Sequence, residues 1–164
     1  SDGLIAIHPH EADDIVIAGM GGSLAIKILT EGKESVDCAT DLVLQVQSEL
    51  DKVRQYLHTI NFIIVEEAMC KEDGKFYTAM HAVKDHKKGC FNLLELKYGK
   101  YLLETKNEIL KEYLKKEYSK SLSIKEKIES EDSENARLRL ESLKEEIRDL
   151  ENALSYYDEI NLTN

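Results

Sequence analysis

The chain has 164 residues, 42% of them hydrophobic and 33% charged, and carries a formal net charge of −10 at pH 7. This length fits one ordinary domain, or a small domain with an appendage. No apolar run approaches the roughly 20 residues of a membrane span, and residues 1–10 lack the basic and apolar regions of a signal peptide. We therefore expect a cytoplasmic protein with no membrane partner.

The cysteines and histidines do not form a recognisable ligand pattern. Cys38, Cys70 and Cys90 are widely separated, no CxxC occurs, and the five histidines are scattered. Because structural zinc sites and disulfide frameworks need closely defined spacings, the sequence predicts reduced thiols and no metal.

The charge is unevenly distributed along the chain. Residues 1–83 carry 6 basic and 14 acidic side chains, residues 84–127 carry 12 and 7, and residues 128–164 carry 4 and 11. The middle block is the only one that would attract a polyanion. Its lysines either contact such a partner or form a solvated helix face; they include Lys87, Lys88, Lys111 and Lys115.

The segment IVIAGMGGSLAIKIL, residues 15–29, combines a β-branched run, three glycines within four positions and an apolar helical stretch. The run predicts a strand buried on both faces of a parallel sheet. Ser23 is expected to cap the following helix, which should end near Gly32. Strand, glycine turn and helix form the first half of a βαβ unit.

The next segments continue an α/β pattern. Residues 41–46 predict a second strand and residues 49–59 an amphipathic helix. Residues 62–68 and 76–83 predict two further strands, joined by a turn at Asp73-Gly74.

From Leu102 onwards the pattern is helical. Apolar residues first recur mainly at steps of four, from Leu110 onwards. From Ala136 to Tyr157 they then follow the a/d pattern of a coiled coil over three heptads. We predict an antiparallel hairpin of residues 102–129 and 135–158 within one chain, and hence a monomer; a parallel dimer is the alternative. The two predicted seams are Leu110, Leu114, Tyr118, Leu122, Ile124 and Ile128, and Ala136, Leu140, Leu143, Ile147, Leu150, Leu154 and Tyr157.

The glycine turn has two competing functional interpretations besides a merely tight turn. A dinucleotide fingerprint, GxGxxG followed by an acid at a strand end, fits Gly19 and Gly21 but finds Leu24 at its third glycine and Asp41 at the start of a strand. The alternative is a substrate-side loop at the carboxyl end of a middle strand, where ligands bind in open α/β sheets.

Several motifs together resemble the bacterial tRNA adenine-22 methyltransferases, which use S-adenosylmethionine to methylate ring nitrogen 1. The resemblance extends over nearly the whole chain, and IAGMGG is its most specific part. The motifs are DGL at 2–4, DDIVIAGMGG at 13–22, LVLQ at 42–45, EDGKFY at 72–77 and YGKYLL at 98–103.

The resemblance implies the later part of a class I methyltransferase Rossmann-like sheet, residues 1–97, followed by a coiled-coil hairpin, residues 98–164, which together grip tRNA. It implies cofactor contacts at Asp2, Gly3, Leu4, Ala18 and Gly19. It also implies that the reaction centre includes Gly19, Met20, Gly21 and Gly22.

Polar and aromatic residues at nearby strand ends are further candidates. Gln45 and Gln47 could hydrogen-bond an adenine edge, and Tyr77 could contact the substrate. Met20 could pack against the base or fill the core beneath the sheet.

The family's first strand and its glycine-containing cofactor loop would precede Ser1. Ser1 replaces the family's usual glycine, and Val46 stands where a proline normally follows LxLQ. We therefore expect this chain to bind the cofactor poorly by itself. Two other functions stay open: a non-enzymatic coiled-coil interaction module and a nucleotide-binding oxidoreductase half-domain.

Overall fold

The computed structural model describes residues 3–85, 91–129 and 133–158. The chain divides into two compact units, residues 1–102 and 103–164. The first is an α/β unit and the second contains two long helices, so the predicted fold class is confirmed. Residues 98–102, assigned from the sequence to the second domain, belong to the first unit.

The first unit is built around a four-stranded mixed sheet of order β1-β2-β4-β3. β1 and β2 are parallel, and the other two pairings are antiparallel. Its elements are β1 (Asp14–Met20), α1 (Gly22–Glu31), α2 (Lys33–Cys38), β2 (Asp41–Val46), α3 (Leu50–Thr59), β3 (Phe62–Glu72), β4 (Lys75–Lys84) and α4 (Leu93–Tyr98), followed by α5 (Lys100–Glu104).

The core of this unit lies between the sheet and the helices. Apolar side chains alternate along the strands, so that Ile15 and Ile17 are buried whereas Val16 is 68% exposed. The buried strand residues pack with Ala25 of α1 and Leu57 of α3. The apolar run of β1 predicted cover on both faces, but the described residues cover only one.

The β3–β4 hairpin extends beyond the rest of the sheet. Asp73 and Gly74 both have positive φ, 48° and 76°, as the predicted two-residue turn requires. Val46, the last residue of β2, pairs with Thr78 of β4. The hairpin continues past this pair at the edge where β1 and β2 end.

A buried ion pair holds the end of the α/β unit in place. Arg54 Nε lies 2.8 Å from Glu67 Oε1, and both side chains are 1% exposed. Arg54 also donates to the carbonyls of Leu96 and Lys97, at 2.6 and 3.1 Å. The backbone N–H of Tyr101 donates to Glu67 at 3.2 Å. Since buried charges need such partners, the pair fixes residues 96–101 on α3 and β3.

The second unit is an antiparallel hairpin of α6 (Glu108–Glu129) and α7 (Glu134–Leu154). Tyr118 donates to Glu151 at 3.0 Å and Ser121 donates to Glu146 at 2.9 Å. Higher numbers on α6 therefore face lower numbers on α7, as the intrachain prediction requires. Its buried residues are Leu110, Leu114, Ser121, Ala136, Leu143, Ile147, Leu150 and Ala153.

Two details of the predicted helical region are wrong. Ser121 is buried where Leu122 was expected, and its hydroxyl donates to the carboxylate of Glu146. The helix is also interrupted between Glu104 and Glu108. Lys106 has a φ of 51°, and the side chain of Asn107 accepts the backbone N–H groups of Ile109 and Leu110 in the first turn of α6, which makes it a helix cap.

Gly99 should be highly sensitive to substitution. Its φ is 94°, and an added Cβ would lie 2.6 Å from a Glu67 carboxylate oxygen and 2.9 Å from Arg54. We expect Gly99→Ala to lower the free energy of unfolding by about 3 kcal/mol or more, because it disturbs a buried ion pair.

Gly74→Ala is the matched control for that measurement. Gly74 also has positive φ, but nothing lies within 4 Å of its added Cβ, so only the backbone strain of about 1–2 kcal/mol applies. Urea denaturation of both variants tests the prediction. Equal losses of stability would contradict the proposed role of the ion pair.

Candidate functional site

The three glycines between β1 and α1 have different structural roles. Gly19 has a φ of 79°, lies at an irregularity in the β1–β2 ladder and is exposed. An added Cβ there would meet nothing within 4 Å. Gly19 is thus needed for its left-handed backbone, and it leaves open space on its outer side.

Gly21 and Gly22 instead allow close packing against the turn that follows β2. The N–H of Gly22 donates to the Ser48 carbonyl at 3.1 Å. A Cβ on Gly22 would lie 2.6 Å from that oxygen, and one on Gly21 would lie 3.1 Å from the Ser48 hydroxyl. Gln47 N–H also donates to the Met20 carbonyl at 2.9 Å. These contacts join the two turns at the carboxyl ends of adjacent strands.

The carboxylate of Glu49 occupies the N-terminus of α1. It accepts the backbone N–H of Ser23 at 2.9 Å and the Ser23 hydroxyl, and Lys52 Nζ lies 2.5 Å away. The hydrogen bond from Lys52, followed by those from Ser23, lowers the pKa of Glu49 to about 2. Glu49 is therefore an anion at neutral pH.

This geometry corrects one prediction and disfavours another. Ser23 does not cap α1: the N-cap is Gly21, which makes no side-chain capping bond, and Glu49 supplies the acceptor instead. A dinucleotide phosphate would bind at a helix N-terminus through free backbone N–H groups. Here a carboxylate already holds that position, so a phosphate would meet a negative charge.

Gln45 connects the second strand to the glycine turn. Its Oε1 atom accepts the N–H of Gly19 at 2.9 Å, which leaves the amide nitrogen to act only as a donor. That Nε2 atom is buried and has no hydrogen-bond partner in the described part of the chain. A buried donor without a partner is uncommon and calls for an explanation, such as a ligand or water.

Other predicted residues share the sheet face that carries Gln45. Gln45 pairs in register with Ala18 of β1 and Ala79 of β4, so these side chains point to the same side of the sheet. Tyr77, two positions from Ala79, lies on this face as well and is partly buried. Gln47 lies beyond the end of β2 and is exposed.

Of the predicted cofactor segment, Asp2 lies outside the described residues. Gly3 has a φ of 63°, and an added Cβ would be 3.2 Å from Ile28 of α1. Leu4 is 8% exposed and packs in the core next to Gly32. Met20 is partly buried and packs against the core. Of its two predicted roles, this position favours filling the core over packing against the base.

The predicted lysines differ in their surroundings. Lys87 and Lys88 lie outside the described residues. Lys111 Nζ is 3.8 Å from Glu108 and 5.5 Å from the centre of the Tyr157 ring. Lys115 is exposed on α6. Lys115 is therefore better placed than Lys111 to bind a further anion.

The described residues show neither a metal-binding cluster nor a membrane-spanning helix. They contain no group of three or more histidine, cysteine or acidic side chains able to hold a metal ion. Within the same ranges, no helix has the length and apolar character needed to cross a bilayer.

Comparison with known proteins identifies the family. The family model for tRNA (adenine(22)-N(1))-methyltransferase, TrmK, matches residues 1–152. The chain belongs to this family. Membership, together with the position of Glu49, decides against an oxidoreductase half-domain.

Individual TrmK relatives are similar in sequence and fold. The tRNA (adenine(22)-N(1))-methyltransferase of Bacillus subtilis is 29% identical over 160 residues, which cover 94% of this chain and 67% of the relative. Its crystal structure superposes with a TM-score of 0.79, covering 94% of this chain and 68% of that one.

Two further solved structures are comparable. An uncharacterised Listeria monocytogenes protein is 30% identical, with a TM-score of 0.82 and coverage of 87% of this chain and 63% of that one. A putative tRNA (m1A22) methyltransferase of Streptococcus pneumoniae in complex with S-adenosyl-L-methionine is 25% identical, with a TM-score of 0.80 and coverage of 94% and 66%. The chain thus spans about two thirds of the length of these relatives.

The lowered pKa of Glu49 predicts a specific loss of stability in acid. A carboxyl whose folded-state pKa is depressed stabilises the fold above its ordinary pKa of 4.5, and this contribution disappears as pH falls towards 2. We expect the wild-type chain to lose more stability between about pH 6 and about pH 3 than Glu49→Gln loses.

The control variant is Glu31→Gln, which removes an exposed carboxylate 3.7 Å from Lys27. Urea denaturation across this pH range provides the measurement. If Glu49→Gln and the wild type lost stability in parallel, the carboxylate would not hold α1 in the way described.

Proposed function

We propose that this chain carries the base-binding turn and part of the cofactor pocket of an S-adenosylmethionine-dependent enzyme that methylates N1 of adenine 22 in tRNA. The observation that carries the proposal is the TrmK turn itself: Gly19 is exposed and open on its outer side, while Gln45 and Glu49 hold the turn in position.

The residues of the turn fit a methyl transfer between two bound molecules. The cofactor, when bound, supplies an electrophilic methyl group on a sulfonium. The N1 lone pair of adenine forms the new N–C bond, the C–S bond breaks, and its electron pair stays on sulfur. The positive charge moves to the adenine ring, so no proton has to leave and no general base is needed.

The residues of the turn suit a reaction whose rate depends on how the base and the methyl donor are aligned. The turn offers an open glycine, a fixed amide and a partly buried methionine rather than a free acid or base. Well-oriented reactants can account for roughly 7–11 kcal/mol of barrier lowering. Gly19 would allow the base to approach the backbone, and the Gln45 amide would donate to an acceptor on the base or the cofactor.

The family resemblance supplies the remaining binding groups. Gly3, Leu4 and Ala18 would contact the cofactor, with Asp2 beside its adenine. Gln47 and Tyr77 would contact the nucleotides around the target base at the carboxyl ends of the strands. The exposed Lys115, and to a smaller extent Lys111, would bind tRNA phosphates, whose contribution falls with rising salt. A tRNA substrate would place the protein in the cytoplasm.

A chimera provides the functional test. In it, the aligned region of the Bacillus subtilis relative is replaced by this chain, and transfer of labelled methyl groups to tRNA is measured. We expect methylation of a tRNA with adenine at position 22 and none with guanine there. A folded chimera that binds S-adenosylmethionine but modifies neither tRNA would contradict the proposal.

Gly19→Ala in the same chimera tests the reaction centre. The added methyl group would stand in the open space of the turn, and a displacement of about 1 Å can cost roughly 100-fold in rate. We expect such a loss in kcat for Gly19→Ala and near-normal kcat for Gly74→Ala, another positive-φ glycine with open surroundings. Equal rates for the two variants would count against the assigned role.

A further inference from the structure

One side of α1 and α2 is covered step by step by the segment before β1. The Ser35 hydroxyl donates to the Ile7 carbonyl at 2.6 Å, Leu4 packs against Gly32, and Gly3 lies against Ile28. The contact positions on the helices run from 35 through 32 to 28. At the same spacing, the next position towards the start of α1 is Leu24.

Leu24 is an exposed apolar side chain without a role in the core. It is 49% exposed, whereas Ala25 and Leu29 form the buried face of α1. The other exposed side chains of this helix are polar: Ser23, Lys27, Thr30 and Glu31. Folding of the described chain therefore does not account for a leucine at this position.

Leu24 also lies between two segments of the proposed site. It follows Gly22 by two residues, and it is one helical turn from Ile28, against which Gly3 packs. Side chains four positions apart on a helix are neighbours, with Cβ atoms roughly 5–6 Å apart. An adenosyl group that reaches from Gly3 to the glycine turn would pass over this side chain.

We propose that Leu24 forms an apolar wall for the adenosyl part of S-adenosylmethionine. This inference rests on the proposed function and adds a cofactor-binding residue to it. The contact is apolar, so it depends on the size and shape of the side chain and not on a charge. It should act equally on S-adenosylmethionine and on S-adenosylhomocysteine, which share the adenosyl group.

The test compares four forms of the chimera by titration with S-adenosylhomocysteine, monitored by NMR. We expect Leu24→Ala to weaken binding about tenfold, an effect typical of removing one well-packed aliphatic group. Leu24→Met keeps an apolar side chain of similar volume and should stay within about twofold. Leu93→Ala removes another leucine of this unit, 60% exposed, and should bind like the wild type.

Kinetic measurements on the chimera distinguish a failure of the Leu24 inference from a failure of the proposed function. Leu24→Ala should raise the KM for S-adenosylmethionine about tenfold and leave the KM for tRNA and the thermal unfolding temperature unchanged. If the chimera methylates tRNA and Leu24→Ala matches it, or raises only the KM for tRNA, this inference is wrong and the proposed function stands. If the chimera neither binds the cofactor nor transfers methyl groups, both are overturned.

Discussion

The carboxylate of Glu49 is the contact on which the geometry of the site depends. It belongs to the turn after β2, yet it holds the first free N–H of α1 and the hydroxyl of Ser23. Because Gly22 also donates to Ser48, the two turns at the strand ends form one rigid unit. Gly19 stands at the exposed edge of that unit, where Gln45 fixes its N–H.

This arrangement explains how a glycine-rich turn can serve a reaction other than phosphate binding. In a dinucleotide fold, the helix N-terminus has to stay free for the pyrophosphate. Here the carboxylate of Glu49 occupies the helix N-terminus, while Gly19, three residues before α1, is exposed. Gly19 thus lies open on a turn that is held in place by the turn after β2. Such a fixed surface suits a reaction in which two ligands must be aligned and no acid or base takes part.

The sequence predicted the elements whose signals are local. Asp73-Gly74 formed the expected turn, residues 41–46 formed the expected strand, and the heptad pattern found the buried Leu143, Ile147 and Leu150. The glycine spacing indicated the turn between β1 and α1, family resemblance assigned that turn to the reaction centre, and the position of Gln45 at a strand end singled out that residue.

The errors and omissions arise from long-range contacts. Ser23 has the composition of an N-cap, but a glutamate 26 positions away occupies the helix end. Arg54 looks like one charged residue of an amphipathic helix, and its burial depends on Glu67 and on carbonyls 42 and 43 positions away. No periodicity or local motif encodes such partners. Only the folded chain shows them.

NMR of the isotopically labelled chimera during titration with S-adenosylhomocysteine tests the central claim most directly, because backbone amide signals report each N–H separately. If the carboxylate of Glu49 closes the N-terminus of α1 to the ligand, the signals of the Gly19 N–H and the Gln45 side-chain amide should shift more than those of the Gly22 and Ser23 N–H groups. The largest shifts at Gly22 and Ser23 would show that the ligand binds at the helix N-terminus after all, and would contradict this account.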